Sequence, residues 1–245
     1  MRRDVRILLV TAVLGAGLAW GDRVPEALGA MEAFRIREIE VIGLRYLSRE
    51  DAIEAMGINA ETSVWGDTDV WEESLRGHPL VLGAVIERVV PDRLRVYVTE
   101  RRPIALVSTP IVEPVDEDGT RLPIDPAEHR LDLPLIETTQ RLADGSRLLP
   151  EDLRALVAEV SRLMSVDTAF LQMVSEITPG DRNSLVARWA EPRVDFLLPY
   201  GLPQARLREG LIALADALAR TPGNIPCAID LRFEDQVVVR KTARK

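Results

Sequence analysis

Between Phe34 and Pro103 the hydrophobic pattern switches from a period of two to a helical period and back again. No other feature constrains the fold as much. Ile39 and Val41 alternate with Glu38 and Glu40, which predicts a first strand over Phe34–Val41. Gly43 then breaks the strand where the backbone must turn sharply. Ser48 and Asp51 form a capping box that opens a helix bearing Ala52, Ile53 and Met56 and ending at Gly57. Asp67 or Asp69 caps a second helix carrying Val70, Trp71 and Leu75, with Trp71 read as core, and Gly77 and Pro79 close it. Val81–Val90 and Leu94–Thr99 pair as a hairpin around Pro91-Asp92, with Leu94, Val96 and Val98 on one face. Strand, helix, helix, strand, strand predicts a three-stranded sheet with two helices on one face, a compact α+β unit.

Pro103 marks a boundary, and the chain beyond it predicts a second mixed β-sheet domain with two main helices, over 104–240. A hairpin is expected over Ile111–Pro123 around Asp116-Glu-Asp-Gly119, then an irregular stretch from Pro123 to Pro134. Pro150, with Glu151 and Asp152 after it, starts a helix lined by Leu153, Leu156, Val157, Val160, Leu163 and Met164. Leu171–Ile177, Ser184–Trp189 and Val194–Leu198 read as a meander. Gln204–Arg220 is the second helix, stopped by Thr221-Pro-Gly-Asn224, and Ala228–Phe233 and Gln236–Arg240 are the last strands. Residues 241–245 form a basic tail.

The N-terminus sets the expected compartment. Arg2, Arg3 and Arg6 precede an uncharged, largely apolar run from Ile7 to Gly21, so this end stays in the cytoplasm and the rest is exported. Residues 1–6 are then a cytoplasmic stub and 7–24 a single transmembrane anchor, short for a hydrocarbon core about 30 Å thick. Trp20 suits a membrane interface. A cleaved leader, with Gly17 and Ala19 as the small residues before its cleavage site, is the rival reading, and a buried helix the third.

Little in the sequence carries catalytic chemistry. A net charge of -8 repels phosphate backbones and argues against nucleic acid. The single cysteine, Cys227, allows no intrachain disulfide and no Cys-based zinc cluster, and reads as a small core residue. His78 and His129 have no second ligand at usable spacing. Asp116–Gly119 lacks the alternation of a calcium loop and reads as a turn. No phosphate loop, nucleophile elbow or carboxylate pair stands out. The expectation is a non-enzyme with no cofactor, no metal and no small-molecule substrate.

The module from Phe34 to Glu100 resembles a POTRA domain. Ile39-x-Val41-x-Gly43 matches its first strand, and Pro91 followed by Leu94-x-Val96-x-Val98-x-Glu100-Arg101-x-Pro103 matches its last hairpin. With the N-terminal segment, Val115-Asp116-x-x-Gly119, Leu133-Pro134-Leu135-Ile136 and Ile229-Asp230-Leu231-Arg232-Phe233, the whole chain is similar to the FtsQ/DivIB cell-division family. Phe233 stands where tyrosine is common in that family. The resemblance implies a bitopic divisome scaffold in the cytoplasmic membrane. It recruits partners of the FtsB and FtsL type, helps control septal wall synthesis, and catalyses nothing. A periplasmic POTRA-type docking protein of secretion or outer-membrane assembly machinery is the alternative, and an exported hydrolase a more distant one.

The resemblance places Arg232 and Phe233 at family positions implicated in partner binding. From the strand pattern, Gln236–Arg240 is the candidate sheet edge, so Val237, Val238 and Val239 are added as sites of strand addition. The competing reading is that these valines complete the core sheet. Replacing Arg232 and Phe233 by alanine is expected to weaken docking and leave the fold intact.

Overall fold

The computed structural model describes residues 32–109, 111–138, 145–181, 183–220 and 226–241. The expected stub, membrane anchor, helix stop at 221–224 and most of the basic tail lie outside these residues. Among the described residues no helix is long and apolar enough to cross a membrane. They fall into two compact units that divide after Arg101.

The first unit is the expected β-α-α-β-β module: β1 (Glu38–Ile42), α1 (Arg49–Met56), α2 (Thr68–Arg76), β2 (Val81–Val89) and β3 (Arg93–Glu100). The sheet order is β1-β3-β2, with β1 parallel and β2 antiparallel to β3. The first strand starts at Glu38 and not at Phe34, because the backbone before it is already engaged. Ile36 N–H donates to Thr62 O, Arg37 N–H to Asp92 O, and Val64 N–H to Phe34 O. Ser48 Oγ accepts from Asp51 N–H, as the capping box predicts. Trp71 and Leu75 face inward from α2, whereas Val70 is exposed. Gly43 has φ +97°, and a Cβ there would lie 2.1 Å from Val98 O, so both conformation and space demand glycine.

Glu100, 8% exposed, closes this module. Its Oε1 accepts from Arg45 N–H (2.8 Å) and Leu47 N–H (3.0 Å), and its Oε2 from Tyr46 N–H (2.9 Å). One carboxylate thus pins the β1–α1 loop. Both border strands also meet helix side chains. Glu72 Oε1 of α2 accepts from Ile86 N–H on β2 at 2.9 Å, while Arg76 holds its other oxygen at 2.8 Å. Arg49 of α1 donates to Ile39 O on β1 at 2.9 Å.

The second unit contains β4 (Ala105–Thr109), β5 (Ile111–Val115), β6 (Leu135–Glu137), α3 (Glu151–Val166), α4 (Thr168–Gln172), β7 (Val174–Pro179), β8 (Ser184–Trp189), β9 (Val194–Pro199), α5 (Gln204–Arg220), β10 (Pro226–Asp230) and β11 (Val238–Lys241). They form one eight-stranded sheet in the order β11-β10-β9-β8-β7-β6-β4-β5. The meander β7-β8-β9 is as expected. The pairs β4/β6, β6/β7 and β9/β10 are parallel, and the last two are bridged by helical crossovers. Phe170, Trp189 and Phe196 pack with centroids 5.0–5.6 Å apart in a core that is otherwise aliphatic.

Four expectations change here. β5 pairs with β4, and the hairpin around Asp116–Gly119 is reduced to one antiparallel bridge, Val115 opposite Arg121, across a turn held by Asp116 Oδ1 accepting from Thr120 N–H. Leu171 belongs to α4, which Asp167 caps by accepting from Phe170 N–H; the strand starts only at Val174. The strand expected to reach Phe233 stops at Asp230, and the last strand begins at Val238, leaving a longer connection between them. Cys227 is exposed and not core, because the β10–β11 ladder shifts register between Pro226 and Ala228.

Candidate docking edge

β11 is the end strand of the eight-stranded sheet, antiparallel to β10, with Ile229 opposite Val239 and Asp230 opposite Val238. Among the described residues no strand pairs with its other side. A strand with one free side presents every second N–H and C=O outward, ready for another chain. Val237 and Val239 pack against the core and Val238 is half-buried. The two readings of these valines therefore coexist: one face completes the core while the border stays open.

On the opposite face of this ladder sits an ionic cluster that the sequence reading did not find. Asp230 is fully buried. It accepts from Arg232 Nε (2.9 Å), Arg232 Nη2 (2.8 Å), Arg232 N–H (3.2 Å) and, across the ladder, Arg240 Nη2 (2.8 Å). The hydrogen bonds from Arg232 hold its carboxyl below the ordinary aspartate range against the opposing effect of burial. Arg232 is therefore not a free charge awaiting a partner, and its removal would leave a buried carboxylate with Arg240 alone. The double alanine variant does not separate docking from folding; Phe233→Ala alone does. The available sequence signal was Asp230-x-Arg232, whose spacing of two puts both groups on one side of an extended backbone.

Phe233 is 45% exposed and lines a cleft of about 750 Å³ with Asp181, Ser184, Pro199 and Arg232. The structure thus gathers Arg232, Phe233, Val237, Val238 and Val239 at one end of the sheet. Glu234 is exposed on the connection. Arg206 of α5 also reaches this connection, and nothing in its local sequence marked it.

A second cleft, of about 630 Å³, is lined by Ser108, Glu137, Asp152, Tyr200 and neighbouring apolar side chains. A hydrogen bond with Glu176 raises the Glu137 carboxyl, and burial raises the Tyr200 hydroxyl. Glu176 is in turn paired with Arg188, which also binds Asp195 at 2.8 Å, so these carboxylates belong to a cross-strand ion network. Among the described residues no group of three or more His, Cys, Asp or Glu could hold a metal ion.

Residues 34–101 match the family model described as "POTRA domain, FtsQ-type". The cell division protein FtsQ of Anaeromyxobacter sp. (strain K) is 31% identical over 137 residues, covering 56% of this chain and 46% of that protein. FtsQ of Geobacter sp. (strain M21) is 25% identical over 236 residues, covering 94% of this chain and 85% of that one. The cell division protein DivIB of Geobacillus kaustophilus is 35% identical over 74 residues, 29% of this chain and 28% of its own. The chain thus spans under half of the Anaeromyxobacter protein and most of the Geobacter one. With an FtsQ-type POTRA module over residues 34–101 and relatives of this kind matched along nearly the whole sequence, the chain is similar to the cell division proteins FtsQ and DivIB.

Proposed function

We propose that this protein is a bitopic scaffold of the division apparatus, held in the cytoplasmic membrane by residues 7–24 with its two folded units outside the cytoplasm. It recruits partner subunits of the FtsB and FtsL type and so helps regulate septal wall synthesis, without catalysing a reaction. Docking occurs by strand addition at β11, with Phe233 as an aromatic anchor beside it. The observation that carries this reading is the free border of β11 at the end of the sheet, next to an exposed aromatic ring. The FtsQ-type POTRA match and the similarity to relatives named as cell division proteins support the cellular role. The FtsQ type of the POTRA match favours it over a docking protein of secretion or outer-membrane assembly machinery.

The test is amide hydrogen exchange of the protein with and without a purified FtsB-type subunit. Val238–Lys241 should gain protection on binding, and Phe233→Ala should weaken the gain. Protection confined to other strands, with β11 unchanged, overturns the assignment of the edge.

A further inference from the structure

β11 can serve as a template only if the connection that leads into it is held still. Leu231–Val237 contains no helix or strand, yet it carries both Phe233 and the start of the border strand. Ordering such a segment at the moment of docking would subtract from affinity. α5 grips it at two points. Gly210 lets Leu231, 1% exposed, pack against the helix so closely that a Cβ on Gly210 would lie 2.7 Å from Leu231 Cδ1. One turn earlier, Arg206 Nη2 donates to Phe233 O at 2.6 Å and to Gln236 O at 3.2 Å. Its other terminal nitrogen is paired with Glu209 on the same helix, and the Arg206 side chain is only 19% exposed.

We infer that Arg206 is a positioning residue for docking: it fixes the backbone on both sides of the Phe233–Gln236 turn, leaves the Phe233 ring outward, and sets where β11 begins. A guanidinium suits this task, because its planar fork can hold two carbonyls at once while a carboxylate fixes its far side. The inference rests on the docking reading above.

Arg206→Met keeps the aliphatic stem and removes every donor, and Arg206→Lys restores one charged donor. In the full chain without partner, Arg206→Met should speed amide exchange over 232–238 about tenfold, with β9 and β10 unchanged. Affinity for the FtsB-type subunit should fall about tenfold, and Arg206→Lys should recover part of both effects. Unchanged exchange over 232–238 overturns the inference outright. Faster exchange with undiminished affinity also overturns it, while a loss of affinity in Phe233→Ala would leave the docking reading standing. If β11 gains no protection when wild-type protein binds its partner, the docking reading falls, and this inference with it.

Discussion

Glu100 offers the sharpest test of how the first unit is held together. Replacing it by alanine removes the acceptor of three backbone N–H groups while leaving strand β3 and its buried face in place. Arg45 is exposed and Tyr46 half-buried, so their N–H groups can recover water, and each loss is modest. Leu47 is 5% exposed, and its N–H has no such recourse. A hydrogen bond to a charged group contributes about 1.5–3 kcal/mol, and leaving the buried donor unmet retains most of that cost. Adding a few tenths for each exposed donor gives about 3 kcal/mol in total. At about 1.4 kcal/mol per tenfold, opening of this unit should become roughly two orders of magnitude more frequent. Two units can open separately, so the measurement is native-state amide exchange on the full chain, read at Leu94, Val96 and Val98 in the centre of the sheet. The second unit is the internal control. Glu100→Gln keeps one acceptor oxygen and should lose about half as much. A less than threefold acceleration in Glu100→Ala would refute the idea that this carboxylate holds the β1–α1 loop.

Two further outcomes follow from other charged groups. The Asp230 carboxyl titrates below its unfolded value of about 3.9, so its contribution is present above that pH and lost as pH falls through the folded value. Protection over Ala228–Lys241, taken relative to the intrinsic exchange rate at each pH, should therefore fall below about pH 4, and Asp230→Asn should be less stable at pH 7 with a flatter response to acid. Glu72→Ala frees Ile86 N–H at the β2 border; sedimentation velocity at rising concentration should then show self-association absent from the wild type. A strictly monomeric Glu72→Ala variant would show that the carboxylate does not protect that border.

Local patterning made much of this architecture readable. Helix α5 runs over Gln204–Arg220 as its leucine spacing demands, and the β2–β3 hairpin follows from alternation around Pro91. What escaped was whatever depends on remote partners. The parallel pairs β4/β6 and β9/β10 join segments separated by a loop or a helix, and no short-range pattern encodes such neighbours. Ala169-Phe170-Leu171 is an apolar run short enough for strand or helix, and the Asp167 cap decides it. At the candidate site the border strand was legible because its valines stand last in the alternation. The Asp230 cluster was not, because Arg240 meets that carboxylate only through the register of β10 against β11. Arg206 was hidden for the same reason, since its two acceptors lie some thirty positions further along the chain.

The helix-borne side chains that terminate the POTRA sheet have a consequence for life at high local density. Copies held at high concentration would brush against one another constantly, and bare strands would zip them into adventitious ribbons. With Ile86 N–H answered by Glu72 and Ile39 O by Arg49, neighbouring modules meet polar groups already satisfied at those points. Because the two blocking residues ride on α1 and α2, a ligand that displaced either helix would also unmask backbone, coupling recognition on one flank to availability of the other.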